Sequence, residues 1–380
     1  MKSKIDYLFV LGSRGEWGYI RPIIDYCIKK KKKYGICLTN MVVISEYGES
    51  GISLGKKILE EGYNVVDSIE MSIEGHTHFT MVKSLHLFGL NFVETVKRLN
   101  PKFVILAGDR GEQLVSAITS AYCYIPVAHI QAGEKSGNID GTTRHGIARF
   151  SHIHFASNKD AYDRLLNSGE EKFRIFNVGA PQLDEIKSKR FYPKKYLLDN
   201  FKFINLSNFF LVAFHPVTEE YYQTKKNINN LIKALKKFKT QKIWILPNND
   251  AGSNIVKEQI LRNRDNNTFI FTNLEREVYF SLLNHCKLLI GNSSSGIIES
   301  PSFNKYSINI GNRQNERFQS NMTLNCDYGF EDIQKTIQKG LKSRRRKKIL
   351  NPYGDGNSSE KIIKILEKIK IGKKLIEKKL

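Results

Sequence analysis

Short apolar runs alternate with amphipathic segments of helical period along most of the chain. The runs end in glycine or polar residues, as in IDYLFVLG (5–12), FVILAGD (103–109) and IPVAHI (125–130). Strands that alternate with helices in this order pair in parallel and are joined by helical crossovers. The pattern therefore predicts an α/β protein built on parallel sheets.

The alternation fails between residues 187 and 208, where charged, aromatic and polar residues mix, and it resumes with FFLVAF (209–214). A chain of 380 residues also exceeds the ~100–200 residues that usually form one domain. We therefore predict two Rossmann-like domains, 1–190 and 191–358. A terminal helix over 359–380 is expected to pack back on the first domain.

The pattern also predicts the bounds of individual elements. The helix after the first strand is predicted to continue to Lys33, and the next strand is assigned to MVVIS (41–45). Near the carboxyl terminus, helices are predicted over 331–342 and 361–380.

The net charge of +22 is a feature that nucleic-acid-binding proteins share. Its main sources are KKKKK (29–33), SRRRKK (343–348) and EKIKIGKKLIEKKL (367–380). We interpret these segments as helix ends and a terminal amphipathic helix, where lysines form solvated faces. The charge therefore does not predict a nucleic-acid partner.

Cysteine and histidine spacing gives neither a disulfide nor a metal signal. The five cysteines are scattered without a CxxC pair, and the nine histidines lack a metal-ligand spacing. No stretch approaches the ~20 apolar residues that span a membrane, and the amino terminus has no cleavage-site pattern. We expect a soluble, cytoplasmic protein without a membrane or metal partner.

The segment 107–145 is the densest in reactive side chains. Asp109 directly follows one apolar run and Gln131 follows the next, so both are predicted at strand carboxyl ends, where open α/β sheets bind ligands. The glycines of AGEKSG (132–137) suggest backbone brought close to a ligand. Candidate site residues in this segment are Asp109, Arg110, Gln131, Glu134, Asp140, Arg144 and His145.

A second candidate site lies in GNSSSGIIES (291–300), where an apolar strand gives way to small residues and a helix start. Backbone N–H groups and serine hydroxyls there would form an anion cradle suited to a diphosphate. The alternative is a helix capped by Ser294 or Ser295. Three further candidate site residues also follow predicted strands: Arg14, His215 and Arg313.

Together these motifs resemble the hydrolysing nucleotide-sugar 2-epimerases. The resemblance runs from Leu11 to about Glu316 and rests on GDR (108–110), HIQAGEKSGNID (129–140) with Arg144 and His145, HPVT (215–218) and GNSSSGIIE (291–299). It implies two Rossmann-like domains facing a cleft, as in B-type glycosyltransferases, with the nucleotide held mainly by the second domain. It implies no cofactor, and family members are often dimers or tetramers.

The resemblance also assigns roles to individual residues. It places Asp109 and Asp140 among the catalytic groups, and Arg14 and His215 near the diphosphate. Residues matched to substrate binding are Arg14, Arg110, Arg144, His145 and His215, and those matched to nucleotide binding are Gly291, Ser293, Ser294, Glu299 and Arg313.

One position departs from the family pattern, because Gln131 stands where many members carry a catalytic glutamate. An amide cannot act as a base, so either Glu134 takes that role or Gln131 only orients substrate or water. A structural alternative is that Glu134 ties its loop to Arg144. Gln131 and Glu134 therefore remain candidates beside Asp109 and Asp140.

The activity that this resemblance implies is conversion of UDP-N-acetylglucosamine and water to N-acetylmannosamine and UDP, through elimination to a glycal and hydration. A first alternative is the same reaction on a GDP-linked or 2,4-diacetamido sugar nucleotide. A second is a B-type glycosyltransferase, which would share the nucleotide cradle but would not need the Asp109 and Asp140 pair.

Overall fold

A computed structural model describes residues 5–39, 53–73, 78–135, 139–189, 191–202, 204–247, 252–272, 274–314, 316–343 and 350–379. The chain separates into two compact units. One unit combines Met1–Lys187 with Tyr353–Leu380, and the other is Ser188–Pro352.

The first unit is built on a seven-stranded sheet in its described part, with the strand order β3-β2-β1-β4-β5-β6-β7 and parallel pairing throughout. The order reverses between β1 and β4, which is where doubly wound sheets bind ligands. Its strands are β1 (Tyr7–Leu11), β2 (Tyr34–Thr39), β3 (Val65–Ile69), β4 (Phe103–Ala107), β5 (Val127–Ile130), β6 (Ile153–Ala156) and β7 (Ile175–Asn177).

Helices cover both faces of this sheet. Alternate residues of β1 enter different apolar clusters, Phe9 and Leu11 in one and Leu8 and Val10 in the other, so the strand is buried on both sides. The helices are α1 (Arg14–Lys29), α2 (Leu54–Glu60), α3 (His78–Leu99), α4 (Gly111–Tyr122), α5 (Ile139–Phe150), α6 (Lys159–Asn167) and α7 (Gln182–Lys187).

The second unit has its own parallel sheet, in the order β10-β9-β8-β11-β12-β13. Its strands are β8 (Phe209–Ala213), β9 (Gln241–Ile245), β10 (Thr268–Phe271), β11 (Leu288–Gly291), β12 (Ser307–Ile310) and β13 (Thr323–Cys326). Its helices are α8 (Lys194–Asn200), α9 (Thr224–Lys236), α10 (Ser253–Arg262), α11 (Arg276–His285), α12 (Ser295–Ile298) and α13 (Phe330–Lys342). Here the order reverses between β8 and β11.

The carboxyl-terminal segment belongs to the first unit and contains α14 (Ser358–Lys368) and α15 (Lys373–Ile376). Helix α14 packs against α1. The fully buried guanidinium of Arg174 donates hydrogen bonds to the carbonyls of Lys374, Leu375 and Glu377 at 2.6–3.2 Å. Lys378 donates to the carbonyls of Ala148 and Arg149 at the end of α5. The last residues therefore fasten the helix that carries Arg144.

The doubly wound α/β class is confirmed, but several boundaries differ from prediction. Helix α1 ends at Lys29 because Lys31 adopts a left-handed conformation with φ of 53°. The strand β2 follows at once in YGICLT, a weakly apolar segment that the pattern did not single out. The predicted strand MVVIS (41–45) lies outside the described residues.

Two further differences lie near the carboxyl terminus. Strand β13 was missed because TLNC is short and half polar. The single helix predicted over 361–380 is two helices, α14 and α15, with residues 369–372 between them. In the described residues, no helix is long and apolar enough to cross a membrane.

Candidate active site

The polar centre of the first unit is the guanidinium of Arg144 on α5. One of its nitrogens donates to the Asp109 carboxylate just past β4, and the other donates to the Gln131 carbonyl just past β5 at 2.9 Å. The Arg144 side chain is 3% exposed and that of Asp109 is 22% exposed. A nearly buried cation thus holds a carboxylate that remains partly open to solvent.

A second contact fixes the loop that carries Asp109. Gly108 has φ of 84°, and its carbonyl accepts a hydrogen bond from Nε2 of His129 at 2.7 Å. Burial lowers the pKa of His129 to about 3, against a smaller opposing effect of the bond to Gly108. His129 is therefore neutral near pH 7 and acts here as a hydrogen-bond donor.

Glu134 lies in the same loop as Gln131 but has a different neighbour. Its buried carboxylate accepts a hydrogen bond from the hydroxyl of Ser157, just past β6. A Cβ at Gly133 would overlap the carbonyl of Ala161 on α6. That glycine is therefore required by packing against α6, a constraint that the sequence pattern did not indicate.

Two buried carboxylates meet where the strand order reverses. Glu16 on α1 accepts hydrogen bonds from the N–H groups of Gly12 and Ser13 at 2.6 and 3.0 Å. Glu112 on α4 accepts from Nε of Arg110 at 2.6 Å, and its carboxylate fills the space above Gly12. Burial, and then the charge of Glu112, raise the pKa of Glu16 well above its usual range.

The remaining predicted residues of this unit are only partly described. Arg14 is the first residue of α1 and Asp140 lies in the first turn of α5, but their side chains lie outside the described part of the structure. His145 is half-buried on α5, and burial, followed by nearby arginines, lowers its pKa. Thus Asp109, Gln131 and Arg144 are brought together, whereas Glu134 bonds to Ser157 and Arg110 to Glu112.

In the second unit, Asn292 joins two strand-end loops. Its side chain accepts a hydrogen bond from the N–H of His215 at 2.7 Å and donates to the His215 carbonyl at 2.8 Å. Its own carbonyl accepts from the side chains of Arg313 and Gln314, both at 3.1 Å. Burial, and then Arg313, lower the pKa of His215 to about 3, so its ring is neutral near pH 7.

The serine loop after β11 has free donors at one end. The N–H groups of Gly296 and Ile297 bond to the carbonyls of Ser293 and Ser294, whereas the N–H groups of Ser293 and Ser294 have no partner among the described residues. Ser294, the N-cap residue of α12, makes no side-chain cap hydrogen bond, whereas the hydroxyl of Ser293 accepts one from the N–H of Ser295 at 3.4 Å. Two backbone donors therefore remain for an anion.

Polar side chains contact the residues that follow this loop. The hydroxyl of Tyr279 donates to Ser295 at 2.5 Å, and Arg276 lies 3.7 Å from the buried Glu299 carboxylate. Burial raises the pKa of Glu299, and Arg276 and Ser295 oppose that effect. Gly291 has φ of 137°, and a Cβ there would overlap the Ala213 carbonyl, so it allows close packing of β8 and β11.

Sequence reasoning missed several of these residues. Asn292 stands inside the GNSSSG motif, but its bonds to the His215 loop depend on β8 and β11 being neighbours, which is a property of the sheet order. Glu16 and Glu112 each lie five residues after the end of a strand, and only the close approach of β1 and β4 brings them together. Arg276 and Tyr279 were missed because they belong to none of the motifs found in the sequence.

Two doubly wound parallel sheets, each with polar groups at the ends of its central strands, give the chain a glycosyltransferase-B-like fold. A family model described as UDP-N-acetylglucosamine 2-epimerase matches residues 28–367. The chain belongs to this family and is a nucleotide-sugar 2-epimerase.

Three similar proteins illustrate this membership. A hydrolysing UDP-N,N'-diacetylbacillosamine 2-epimerase of Legionella pneumophila is 31% identical over 373 residues, covering 98% of both chains. A UDP-N-acetylglucosamine 2-epimerase of Neisseria meningitidis is 29% identical over 333 residues, covering 87% of this chain and 86% of that one. A crystal structure of a UDP-GlcNAc 2-epimerase from Neisseria meningitidis, bound to UDP-GlcNAc, is similar to this chain with a TM-score of 0.81. The two proteins are 17% identical in sequence, and the match covers 96% of this chain and 100% of the other.

The raised pKa of Glu16 predicts the effect of Glu16→Gln on stability. A carboxyl whose pKa is raised by folding stabilises the protein at pH below its unfolded value, and that contribution is lost as pH rises through the folded value. Glutamine stays neutral and can accept the same N–H bonds. The melting temperature of the variant should therefore rise relative to that of wild type as the pH increases above about 4.

Glu94→Gln is the matched control, because the Glu94 side chain is 71% exposed on α3. Its melting curve should run parallel to that of wild type across the same pH range. Parallel curves for Glu16→Gln would contradict the assignment of a raised pKa.

Asn292→Asp tests the bridge to His215. The substitution preserves shape, but a carboxylate oxygen would face the His215 carbonyl that now accepts a hydrogen bond. Affinity for UDP, measured by calorimetry, should fall by about tenfold, which corresponds to about 1.4 kcal/mol. Asn200→Asp, which loses an exposed bond to the Tyr196 carbonyl, should bind UDP like wild type. Unchanged UDP affinity in Asn292→Asp would show that the bridge does not position the nucleotide site.

Proposed function

We propose that this chain is a hydrolysing 2-epimerase that converts UDP-N-acetylglucosamine and water to N-acetylmannosamine and UDP. The observation that carries the proposal is the Asp109 carboxylate, held by Arg144 at the reversal of strand order and still open to solvent. Membership of the epimerase family supplies the type of substrate.

The reaction requires removal of the proton at C2, cleavage of the C1–O bond, loss of a proton from the attacking water and return of a proton to C2. A base removes the proton from C2 of the sugar, the C1–O bond breaks with its electrons passing to UDP, and a C1=C2 double bond forms. Water then adds its hydroxyl to C1, and an acid returns a proton to the opposite face of C2. Asp109 takes part in these proton transfers, and Glu134 and Asp140 are the further carboxyl groups in the same segment.

Nucleotide binding is assigned to the second unit. The unpartnered N–H groups of Ser293 and Ser294 suit phosphate oxygens. Arg313 supplies positive charge from the loop that Asn292 holds, and Glu299 can accept hydrogen bonds from a ribose diol. Arginine and backbone donors are groups that stabilise phosphate charge through hydrogen bonds.

A second candidate substrate is UDP-N,N'-diacetylbacillosamine. The observation that favours it is the similarity to the Legionella pneumophila enzyme, which extends over nearly the full length of both chains. The elimination and hydration at C1 and C2 would be the same, since the two sugars differ elsewhere on the ring. Side chains that contact the rest of the sugar decide between them.

The test is to incubate the protein in deuterated water with each UDP sugar in turn and to follow the products by NMR. Release of free N-acetylmannosamine carrying deuterium at C2 supports the proposal. Turnover of the diacetamido sugar alone would replace UDP-N-acetylglucosamine by the second candidate. Transfer to an added acceptor sugar, without exchange at C2, would indicate a glycosyltransferase and end the proposal.

Asp109→Asn should reduce turnover by about 10²–10⁴-fold, because an amide can accept the Arg144 bond but cannot take up or release a proton. UDP affinity should stay within about twofold of wild type, since nucleotide binding is assigned to other residues. Asp163→Asn on the exposed face of α6 is the control and should retain activity. Loss of UDP affinity with turnover intact would contradict the role of Asp109.

A further inference from the structure

Gln131 combines two unfavourable features in one residue. It is 2% exposed, and its side-chain nitrogen Nε2 is buried without a hydrogen-bond partner among the described residues. Its backbone adopts φ of 59°, in the left-handed region that favours glycine. An unpaired buried amide and a strained backbone both lower stability, and such features concentrate where a ligand supplies the missing partner.

The backbone around Gln131 is nevertheless firmly held. Its carbonyl accepts a hydrogen bond from Arg144 at 2.9 Å, and the same guanidinium holds Asp109. On either side, the Ile130 carbonyl accepts from Gly108 at 3.2 Å, and the Ala132 N–H donates to Phe155 at 3.3 Å. The unusual conformation is therefore fixed by its surroundings.

Gln113 shows what a structural glutamine looks like in the same unit. It is fully buried on α4, its Nε2 donates to the Val10 carbonyl at 3.2 Å, and its Oε1 accepts from the Ala107 N–H at 3.4 Å. Both ends of its amide are satisfied. The buried Nε2 of Gln131, by contrast, has no such partner among the described residues.

We propose that Nε2 of Gln131 donates a hydrogen bond to an oxygen of the bound sugar, and that Gln131 binds substrate without transferring a proton. The inference rests on the proposed function for the identity of the ligand. Because Arg144 connects Gln131 to Asp109, the donor also aligns the sugar with the acid/base carboxylate. A buried donor of this kind rejects analogues that lack the accepting oxygen.

Gln131→Leu separates binding from folding. Leucine removes the unpaired amide at similar size, so the ligand-free melting temperature should rise by about 2 °C. KM, and the dissociation constant for the UDP sugar measured with Asp109→Asn as background, should rise about tenfold. Gln113→Leu is the matched control, and its melting temperature should fall because two satisfied bonds are lost.

Gln131→Glu distinguishes a donor from a base. Glutamate keeps the shape and the accepting oxygen but loses the N–H donors, so the weakened sugar binding of Gln131→Leu should persist. A higher kcat, or a new ionisation in the pH profile of kcat, would instead identify this position as a site of proton transfer and overturn the inference.

The outcomes also separate this inference from the proposed function. A lower melting temperature for Gln131→Leu with unchanged affinity would make the amide structural and overturn the inference, whatever the substrate. If wild type turns over neither UDP sugar, the proposed function fails. The ligand-free melting temperatures of the two leucine variants then still decide whether the Gln131 amide is kept for binding.

Discussion

The guanidinium of Arg144 is the interaction on which the first unit's site depends. A charge that is 3% exposed is stable only when its donors are satisfied, and two of them bond to groups that follow different strands. Asp109 follows β4 and Gln131 follows β5, whereas Arg144 itself lies on α5. One side chain therefore fixes the relative positions of three elements, and it does so directly at the candidate acid/base group.

Asn292 has the corresponding role in the second unit, with an amide in place of a charge. Its two side-chain bonds to the His215 backbone connect the loops after β8 and β11, and its carbonyl connects Arg313 from the loop after β12. Parallel strands bring their carboxyl ends to one edge, so neighbouring loops can share a side chain. In both units the order of strands decides which loops can be joined.

The sequence alone predicted the doubly wound class and placed Asp109 and Gln131 at strand ends, because apolar runs followed by polar residues mark such ends directly. It did not predict pairs that depend on the strand order. The bonds of Arg144 to Asp109 and Gln131, for example, require β4 beside β5. Gly133 was attributed to the close approach of a ligand, because a local sequence pattern does not reveal the packing of α6. Strand β2 was missed because its glycine, cysteine and threonine weaken the apolar signal.

In the loop after β1, buried carboxyl groups occupy backbone donors that could otherwise bind a ligand. A loop that leads from a strand into a helix usually offers its N–H groups to an anion. Here Glu16 already occupies the N–H groups of Gly12 and Ser13, and Glu112 fills the space beside them. A phosphate at this position would have to displace one carboxylate and approach another. Ser293 and Ser294 therefore keep N–H groups that have no partner among the described residues, whereas the N–H groups at the end of β1 already bond to Glu16.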